Sequence, residues 1–524
     1  MTRTTTILSR WPTGAGLAAA LLLLGAHGPV AASQQQGAGT QRSVLSGRRT
    51  PPPPAPASAR AFVETENAVA LRSDLHTMLD DGIRSGRWGA MVVSLTRGDT
   101  LLAHNAGELL TPASTMKLFT GALALERFGP DHQFSTDVLR DGPVGDDGIL
   151  SGNLFLRGDG DPGFSNRYLR GEPDAPLDLL ARFVASAGIT RVRGDLVADA
   201  TAFEDRRIPE GWLSRNLGYG YSAPVSALSV NENVVWVAVE PGRNGGSTVV
   251  TLEPSSSAIE VRSSVRTAAG RGARIVVRRA GRDAIEARGW IGARSSVRRY
   301  QLVIDDPALF TAGAFRDALA RHGVEVDGVI RFGPTPGTTE RVAGLPSPPL
   351  ARMISVMNRE SINHFAELIY RNVARGPSKG DVGSADRAYD LLHEFMVEKV
   401  GAAPGSIRAT DGSGLSTLDR VTPRALIQLL DYAHRAPWSS VFHASLPVAG
   451  ESELLRHRMR ATPAQGNLHA KTGTTNAVIS LAGYSTARNG EVLAFVFIYN
   501  GTDRWNARQT IDRMGVTLAS FIRE

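Results

Sequence analysis

Alternation and helical spacing of apolar residues mark the start of the globular part of the chain. Apolar side chains recur at helical spacing from Leu71 to Ile83, which predicts an amphipathic helix. Two apolar runs follow at 91–95 and 101–103, with a turn at Gly98-Asp99 between them, and predict two paired strands.

A second helix is predicted where Thr111 is followed by Pro112. Threonine is a favourable helix cap and proline is tolerated at the first helical position, so we expect Thr111 to cap this helix. Its apolar residues cover most of its circumference as far as Leu125, and Gly129 ends it. We therefore expect a buried helix with Ser114 in its first turn.

The pattern changes between 132 and 346, where short β-branched runs alternate with Gly, Asp and Asn clusters. This texture predicts a strand-rich region, with helices near 177–187 and 311–322. Beyond Pro349 long helical patterns return, and the chain ends in strand, turn, strand and helix. The predicted elements of this last part are helices at 350–375, 384–399, 423–435 and 505–521, and strands at 477–484 and 492–499.

The first 61 residues do not resemble a folded domain. Residues 1–32 combine early arginines, an apolar run at 14–26 and small residues at 30–32, as in a cleaved signal peptide. That run is too short for a transmembrane helix. Residues 33–61 are rich in Pro, Gln and Ala, which indicates a linker. We therefore expect an exported protein without a transmembrane anchor.

The amino-acid composition excludes several kinds of active site and of binding partner. The 524-residue chain contains no cysteine, which excludes a thiol nucleophile and a thiolate metal site. Its formal net charge is +7, but no nucleic-acid-binding motif accompanies that charge, so no nucleic-acid partner is expected. Eleven arginines lie between Arg262 and Arg299. They are consistent with exposed strand positions or with a surface for anionic wall polymers or lipid headgroups.

Lysine is rare in this chain, which makes its positions informative. Of 58 basic residues only four are lysines, at 117, 379, 399 and 471. Ser114 and Lys117 are three residues apart, which places both side chains on one helix face. A serine hydroxyl needs a base to become a nucleophile. A buried amine can act as that base, whereas an arginine keeps its proton.

Two further motifs follow in the chain. Ser361-Ile362-Asn363 heads a helix, where a hydroxyl can pass a proton and an amide can hold a peptide carbonyl. Lys471-Thr472-Gly473-Thr474 precedes a strand, and suits an anionic C-terminus with the glycine allowing close approach. Each motif alone is weak. In this order, Ser-x-x-Lys, Ser-x-Asn and Lys-Thr-Gly form the motif set of β-lactamases and penicillin-binding proteins.

The chain resembles a class C low-molecular-mass penicillin-binding protein, of the D-alanyl-D-alanine carboxypeptidase/endopeptidase family. The distance from Ser114 to Ser361 is longer than in β-lactamases, and family members carry a large insert there. Ile362 departs from the aspartate or asparagine common in relatives. Further stretches that resemble family signatures are 158–162, 199–203, 211–212, 221–224, 231–233, 411–416, 446–447 with Gly450, and 481–484.

The resemblance implies a multi-domain α/β protein with a transpeptidase-like domain of the penicillin-binding-protein/β-lactamase type. An antiparallel sheet flanked by helices would be formed by two segments, 62–131 and 347–524. The intervening strand-rich region, 132–346, would form two small domains. The implied partners are peptidoglycan stem peptides and, as covalent inhibitors, β-lactams, in the periplasm or cell-wall space. No cofactor and no metal are implied.

The resemblance also implies the role of each motif residue. Ser114 would attack the carbonyl between two D-alanines after Lys117 takes its proton. Ser361 would relay a proton to the leaving D-alanine, and Asn363 would hold the peptide. The residues implied for the terminal carboxylate are Lys471, Thr472 and Thr474, with Gly473 beside them; the backbone N–H groups of Ser114 and Thr474 would form the oxyanion hole.

Two other functions remain open at this point. A β-lactamase or esterase on the same scaffold would use the same nucleophile, and fast turnover of a β-lactam would distinguish it. A catalytically silent wall-binding protein would bind peptidoglycan without being labelled by penicillin. The sequence does not separate carboxypeptidase from endopeptidase action.

Overall fold

The computed structural model describes residues 63–64, 68–82, 85–169, 171–242, 246–376 and 381–523. The predicted signal peptide and linker, 1–61, lie outside the described residues. Within the described ranges, no helix has both the length and the apolar character needed to cross a membrane.

The first segment contains the predicted helix, strand pair and second helix. Its elements are β1 (Val63–Glu64), α1 (Val69–Gly82), β2 (Arg87–Ser94), β3 (Asp99–His104) and α2 (Met116–Phe128). A 3₁₀ turn, Ala113–Thr115, immediately precedes α2.

The middle of the chain is rich in short strands, as predicted, and contains two helices. Its strands are β4 (Ser135–Arg140), β5 (Ile149–Leu150), β6 (Leu154–Gly158), β7 (Arg191–Val192), β8 (Leu196–Asp199), β9 (Val234–Glu240), β10 (Val249–Glu253), β11 (Glu260–Ala268), β12 (Ala273–Arg279), β13 (Ala284–Gly292), β14 (Arg298–Val303), β15 (Glu325–Val326), β16 (Ile330–Phe332) and β17 (Glu340–Pro346). Its helices are α3 (Ala175–Ser186) and α4 (Pro307–Arg321).

The last segment is helical and then returns to strands. Its helices are α5 (Leu350–Glu360), α6 (Asn363–Arg375), α7 (Ala385–Glu394), which continues as a π-helical turn (Phe395–Lys399), α8 (Pro423–Arg435), α9 (Ser439–Ala444) and α10 (Arg504–Ser520). Its strands are β18 (Ile407–Arg408), β19 (Arg420–Val421), β20 (His469–Thr474), β21 (Val478–Thr486) and β22 (Val492–Asn500).

One six-stranded sheet joins the two ends of the described chain, in the order β1-β3-β2-β22-β21-β20. From β3 to β20 each strand is antiparallel to the next, and β1 is parallel to β3. Along β22, residues 494, 496 and 498 contact one core and residues 493, 495, 497 and 499 contact another. Both faces of the sheet are therefore covered, α1 and α10 contributing to one core and α2, α5, α6 and α8 to the other.

The strands of the middle region form separate sheets. A five-stranded sheet has the order β16-β8-β6-β4-β17, and three-stranded sheets have the orders β15-β7-β5, β10-β9-β14 and β11-β13-β12. They share one hydrophobic core with α3 and α4. The strand-rich region therefore has a core of its own.

Candidate active site

The Ser114 segment differs from its predicted form. Pro112 precedes a 3₁₀ turn and the α-helix begins only at Met116, so the prediction that Thr111 caps the helix is wrong. The backbone N–H of Thr111 donates to Asn500 Oδ1 (2.8 Å), and Asn500 Nδ2 donates to the Thr111 carbonyl (3.0 Å). Ala113 has a φ of 51°, so the helical geometry does not extend back through it. Ser114 therefore lies on a bend that hydrogen bonds between Thr111 and Asn500 hold to the end of β22.

Lys117 is fully buried and its amine faces the Ser114 hydroxyl. The Nζ atom lies 3.0 Å from Ser114 Oγ and donates to Asn363 Oδ1 (2.6 Å) and to the Ser413 carbonyl (2.7 Å). Burial lowers the pKa of Lys117 to about 7, although the negative charge of Asp411 acts in the opposite direction. Near neutral pH, a substantial share of this amine carries no proton and can accept one.

Ser361 interrupts the helix predicted over 350–375. Its φ of 60° and ψ of 40° are left-handed, a conformation uncommon for a non-glycine residue and found where surrounding structure holds it. Helix α5 ends before it and α6 begins at Asn363. The Ser361 Oγ atom accepts a hydrogen bond from Lys471 Nζ (2.8 Å), and Asn363 Nδ2 donates to the Tyr221 carbonyl (2.7 Å). The break thus turns two side chains of one motif toward two different lysines.

Lys471 lies on β20, the last strand of the six-stranded sheet. Its side chain is fully buried, and Nζ donates to Ser361 Oγ and to the Thr472 carbonyl (2.9 Å). Burial and the nearby charge of Lys117 place the pKa of Lys471 well below its usual value. Thr472 is buried and Thr474 is exposed. The structure brings Lys471 against Ser361, and its contact with a ligand carboxylate stays a prediction.

Gly473 owes its identity to the protein's own packing. A Cβ atom there would lie 2.1 Å from Ser480 Oγ, 2.8 Å from the Pro112 carbonyl and 3.1 Å from the Ser114 backbone nitrogen. Ser480 Oγ also donates to the Pro112 carbonyl (2.7 Å). We expected this glycine to allow the close approach of a ligand; in the structure the atoms nearest to it belong to Ser480 on β21 and to Pro112 and Ser114. That approach brings Ser114 and Thr474, the two predicted oxyanion donors, onto adjacent segments.

The sequence did not identify the part played by Ser413. Its carbonyl accepts from Lys117, and Asp411 holds this carbonyl in place through a tight turn. The Asp411 carboxylate accepts from the backbone N–H groups of Ser413 (3.0 Å), Gly414 (2.6 Å) and Ser416 (2.7 Å), and from Trp212 Nε1 (2.7 Å). An aspartate heading a Gly-Ser-Gly stretch is the available signal, because such side chains bond to the backbone that follows them.

A second missed residue is Glu367, fully buried on α6. Its Oε1 atom accepts from the Gly412 N–H (3.1 Å), and Arg371 Nη1 lies 3.3 Å from its other oxygen. Burial and the neighbouring Asp411 raise the pKa of Glu367 to about 8. Its place at i+4 from Asn363 on the helix was the only sequence signal. Among the described residues neither Asp411 nor Glu367 forms a hydrogen bond with Lys117, so both act on it at longer range.

His364, adjacent to the second motif, packs in the interior. It is buried, its Nε2 atom lies 2.9 Å from Asn233 Nδ2, and burial lowers its pKa to about 3. Among the described residues no group of three or more His, Cys, Asp or Glu side chains is arranged to hold a metal ion. The side chains that meet at Ser114, Lys117 and Ser361 carry hydroxyl, amine and amide groups.

Three motifs distant in the chain thus meet around one hydroxyl, on a sheet covered by helices on both faces. This combination defines a serine acyl-transferase of the penicillin-recognising class. The model of the D-Ala-D-Ala carboxypeptidase 3 (S13) family matches residues 71–521, and the chain belongs to this family. It is a serine-type D-alanyl-D-alanine carboxypeptidase, as the sequence predicted.

Individual relatives agree with this assignment. The chain is 34% identical to the D-alanyl-D-alanine carboxypeptidase of Actinomadura sp. (strain R39), over 86% of this chain and 85% of the relative. It is 26% identical to D-alanyl-D-alanine carboxypeptidase DacB of Haemophilus influenzae, over 82% and 88%. The crystal structure of penicillin-binding protein 4 from Haemophilus influenzae superposes with a TM-score of 0.71 at 24% identity, over 86% of this chain and 99% of that one. The predicted fold class is confirmed.

Proposed function

We propose that Ser114 is the nucleophile of this carboxypeptidase and that Lys117 is its general base. The observation that carries the proposal is the set of contacts around Lys117 Nζ. A neutral amine has two N–H groups, and the Asn363 Oδ1 and Ser413 carbonyl oxygens accept both. The nitrogen lone pair is then directed to the third neighbour, the Ser114 hydroxyl at 3.0 Å. The amine is thus positioned to take the hydroxyl proton as the oxygen attacks.

The reaction follows from the positions of the remaining groups. Ser114 Oγ forms a bond to the carbonyl carbon between the two D-alanines while its proton passes to Lys117. The oxyanion accepts hydrogen bonds from the N–H groups of Ser114 and Thr474; one such donor is typically worth about 10²–10³ in rate. The C–N bond then breaks as the proton held by Lys117 passes by way of the Ser361 hydroxyl, which is bonded to Lys471, to the departing amine, so that Lys117 is neutral again and Ser361 keeps a proton. Water hydrolyses the ester and restores the Ser114 hydroxyl.

The substrate would lie along β20 as an added extended segment, because the last strand of a sheet can pair with a peptide. Asn363 holds the peptide through its amide, and the Thr472 and Thr474 hydroxyls meet the terminal carboxylate. Lys471 orients Ser361 through its hydrogen bond and presents amine N–H groups at this end of the site. Stem peptides of peptidoglycan are the substrates we infer, in the periplasm or cell-wall space.

A β-lactam would follow the first half of the same path. Ser114 opens the lactam C–N bond, and the amine stays tethered to the acyl group, so it cannot leave and make room for water. A relative, penicillin-binding protein 4 of Haemophilus influenzae, has been crystallised with a β-lactam.

We also infer that residues 62–131 and 347–524 form the catalytic domain and 132–346 the inserted domains, since the six-stranded sheet combines the two outer segments.

Fluorescent penicillin tests the nucleophile. The Ser114→Ala variant should take up no label and should release D-alanine from a D-Ala-D-Ala peptide slower by a factor on the order of 10⁴ or more. Ser440→Ala, an exposed serine on α9, is the matched control and should be labelled like the unaltered protein. Equal labelling of Ser114→Ala would overturn the assignment of the nucleophile. Rapid turnover of the label by the unaltered protein would favour a β-lactamase.

A further inference from the structure

The arginine-rich stretch folds into the sheet β11-β13-β12, whose two faces differ sharply. One face lies against the core of the middle region through Val265, Ile285, Ala287 and Ile291. The opposite face is open to solvent and bears five of the eleven arginines of the stretch, at 262, 266, 274, 278 and 288. The sheet thus presents a basic face.

The arginines on this face fall into two groups. Toward one end, each arginine has a carboxylate partner. These pairs are Arg262 with Glu260, and Arg278 and Arg288 with Glu286. At this end the positive charge is largely neutralised by the protein itself.

The other end has a tryptophan and no acid. Trp290 on β13 is directly opposite Arg266 on β11 and Arg274 on β12, so the three side chains span about 10 Å. The connections beside them carry Arg271 and Arg294, joined by a hydrogen bond from the Arg294 N–H to the Gly270 carbonyl (3.0 Å). We call these five residues the Trp290 patch. All four arginines are exposed, and the Trp290 side chain is 40% exposed.

In the part of the chain that the structure describes, none of the four arginines of the Trp290 patch forms an ion pair. No arginine stacks over the Trp290 ring among these residues either. Four like charges held close together repel one another. An anionic surface brought against them would remove that repulsion and find the ring free to make contact.

We propose that the Trp290 patch docks the protein on the anionic phospholipid surface of a membrane. The side chains on one face of a sheet point the same way and can meet a plane of headgroups together. Guanidinium groups bind phosphates in bidentate fashion, and tryptophan prefers the boundary between headgroups and acyl chains. Each arginine near an anionic surface strengthens binding about fivefold, so four of them hold a protein peripherally. This docking is independent of the reaction at Ser114.

Sedimentation with lipid vesicles tests the proposal on the full chain. The unaltered protein should bind vesicles containing phosphatidylglycerol at low salt and should be released as the ionic strength approaches ~0.5 M, where surface charges are screened. It should not bind vesicles of phosphatidylcholine alone. Replacing Arg266, Arg271, Arg274 and Arg294 by glutamine should lower the partition coefficient by a factor on the order of 10² or more.

Two variants sharpen the outcome. Arg262→Gln combined with Arg278→Gln removes positive charge from the neutralised end of the same sheet and should lower binding severalfold less than an equal number of changes in the patch. Trp290→Ala should weaken binding at all salt concentrations. Penicillin labelling of Ser114 should be unchanged in every variant, which shows that the fold persists. The proposal is overturned if the changes at Arg262 and Arg278 lower binding as much as two changes within the Trp290 patch. It is also overturned if the protein binds phosphatidylcholine vesicles as well as phosphatidylglycerol vesicles, or if it binds isolated anionic wall polymers but no vesicles.

Discussion

Basic side chains are buried at the active site and exposed on the sheet β11-β13-β12, and their charge states differ accordingly. At the active site Lys117 and Lys471 are fully buried, and each meets neutral oxygens of hydroxyl, amide or carbonyl groups. In the sheet β11-β13-β12 the basic side chains are arginines, exposed and either paired with a glutamate or an aspartate or without an acidic partner. Burial makes the first pair able to lose a proton, and exposure keeps the second group charged.

The position of the carboxylates completes this contrast. A carboxylate in direct contact with Lys117 would hold the amine in its charged form. The structure instead interposes Ser413 between Asp411 and the amine, so the acid orients a carbonyl and lends only its longer-range charge. In the sheet, by contrast, Glu286 contacts Arg278 and Arg288 directly. The distance of the acidic side chain therefore differs between a lysine that acts as a base and an arginine that stays charged.

The largest effect on acylation is expected when the lysine of the active site is replaced by arginine, the basic residue of the sheet β11-β13-β12. Lys117→Arg keeps a basic side chain but removes the possibility of a neutral one, so acylation by penicillin should slow by about 10³ or more. Stopped-flow measurement with a chromogenic β-lactam checks this rate. Lys117→Met serves as the uncharged control and should be equally impaired, with thermal unfolding showing that both variants are folded. A Lys117→Arg enzyme with near-normal acylation would refute the role of a neutral amine.

A smaller effect should appear in the pH dependence. The pKa of Lys117 is lowered to about 7 by burial, and the uncharged form is the active one, so activity is present above this pKa and is lost as pH falls through it. Well below pH 7 the acylation rate should drop about tenfold per pH unit. Vesicle binding through the arginines should be flat over the same range. Acylation independent of pH down to ~5 would contradict a lowered lysine pKa.

The smallest effect is expected at a lysine that behaves like the sheet arginines. Lys399 is half exposed and pairs with Glu126 (2.7 Å). Such surface pairs contribute less than about 1 kcal/mol, so Lys399→Gln should change the free energy of unfolding by less than that and leave acylation unaltered. Urea denaturation and penicillin labelling measure the two quantities. A loss of labelling in this variant would mean that lysine identity matters beyond the buried positions.

Much of the fold was predictable because local periodicity reports which face of an element is covered. The spacing from Leu71 gave helix α1, the apolar runs gave β2 and β3, and the texture of 132–346 gave a strand-rich region with α3 and α4. The apolar spacing over 350–375 showed no break at Ser361, and only the placement of Ser361-Ile362-Asn363 at the head of a helix pointed to one. Tertiary contacts, including the bond from Lys471, hold that left-handed residue.

The sequence by itself determined the chemical inventory of the site: a serine with a lysine three residues on, a Ser-x-Asn pair and a Lys-Thr-Gly strand in a chain poor in lysine. Only the tertiary structure decided that Lys117 is buried beside Asn363 and Ser413, that Gly473 accommodates the Ser114 turn, and that Trp290 lies between two arginines. Spacing along the chain assigns a side chain to a face of its own element. The depth of burial and the partner atoms, which set a pKa, depend on segments hundreds of residues away.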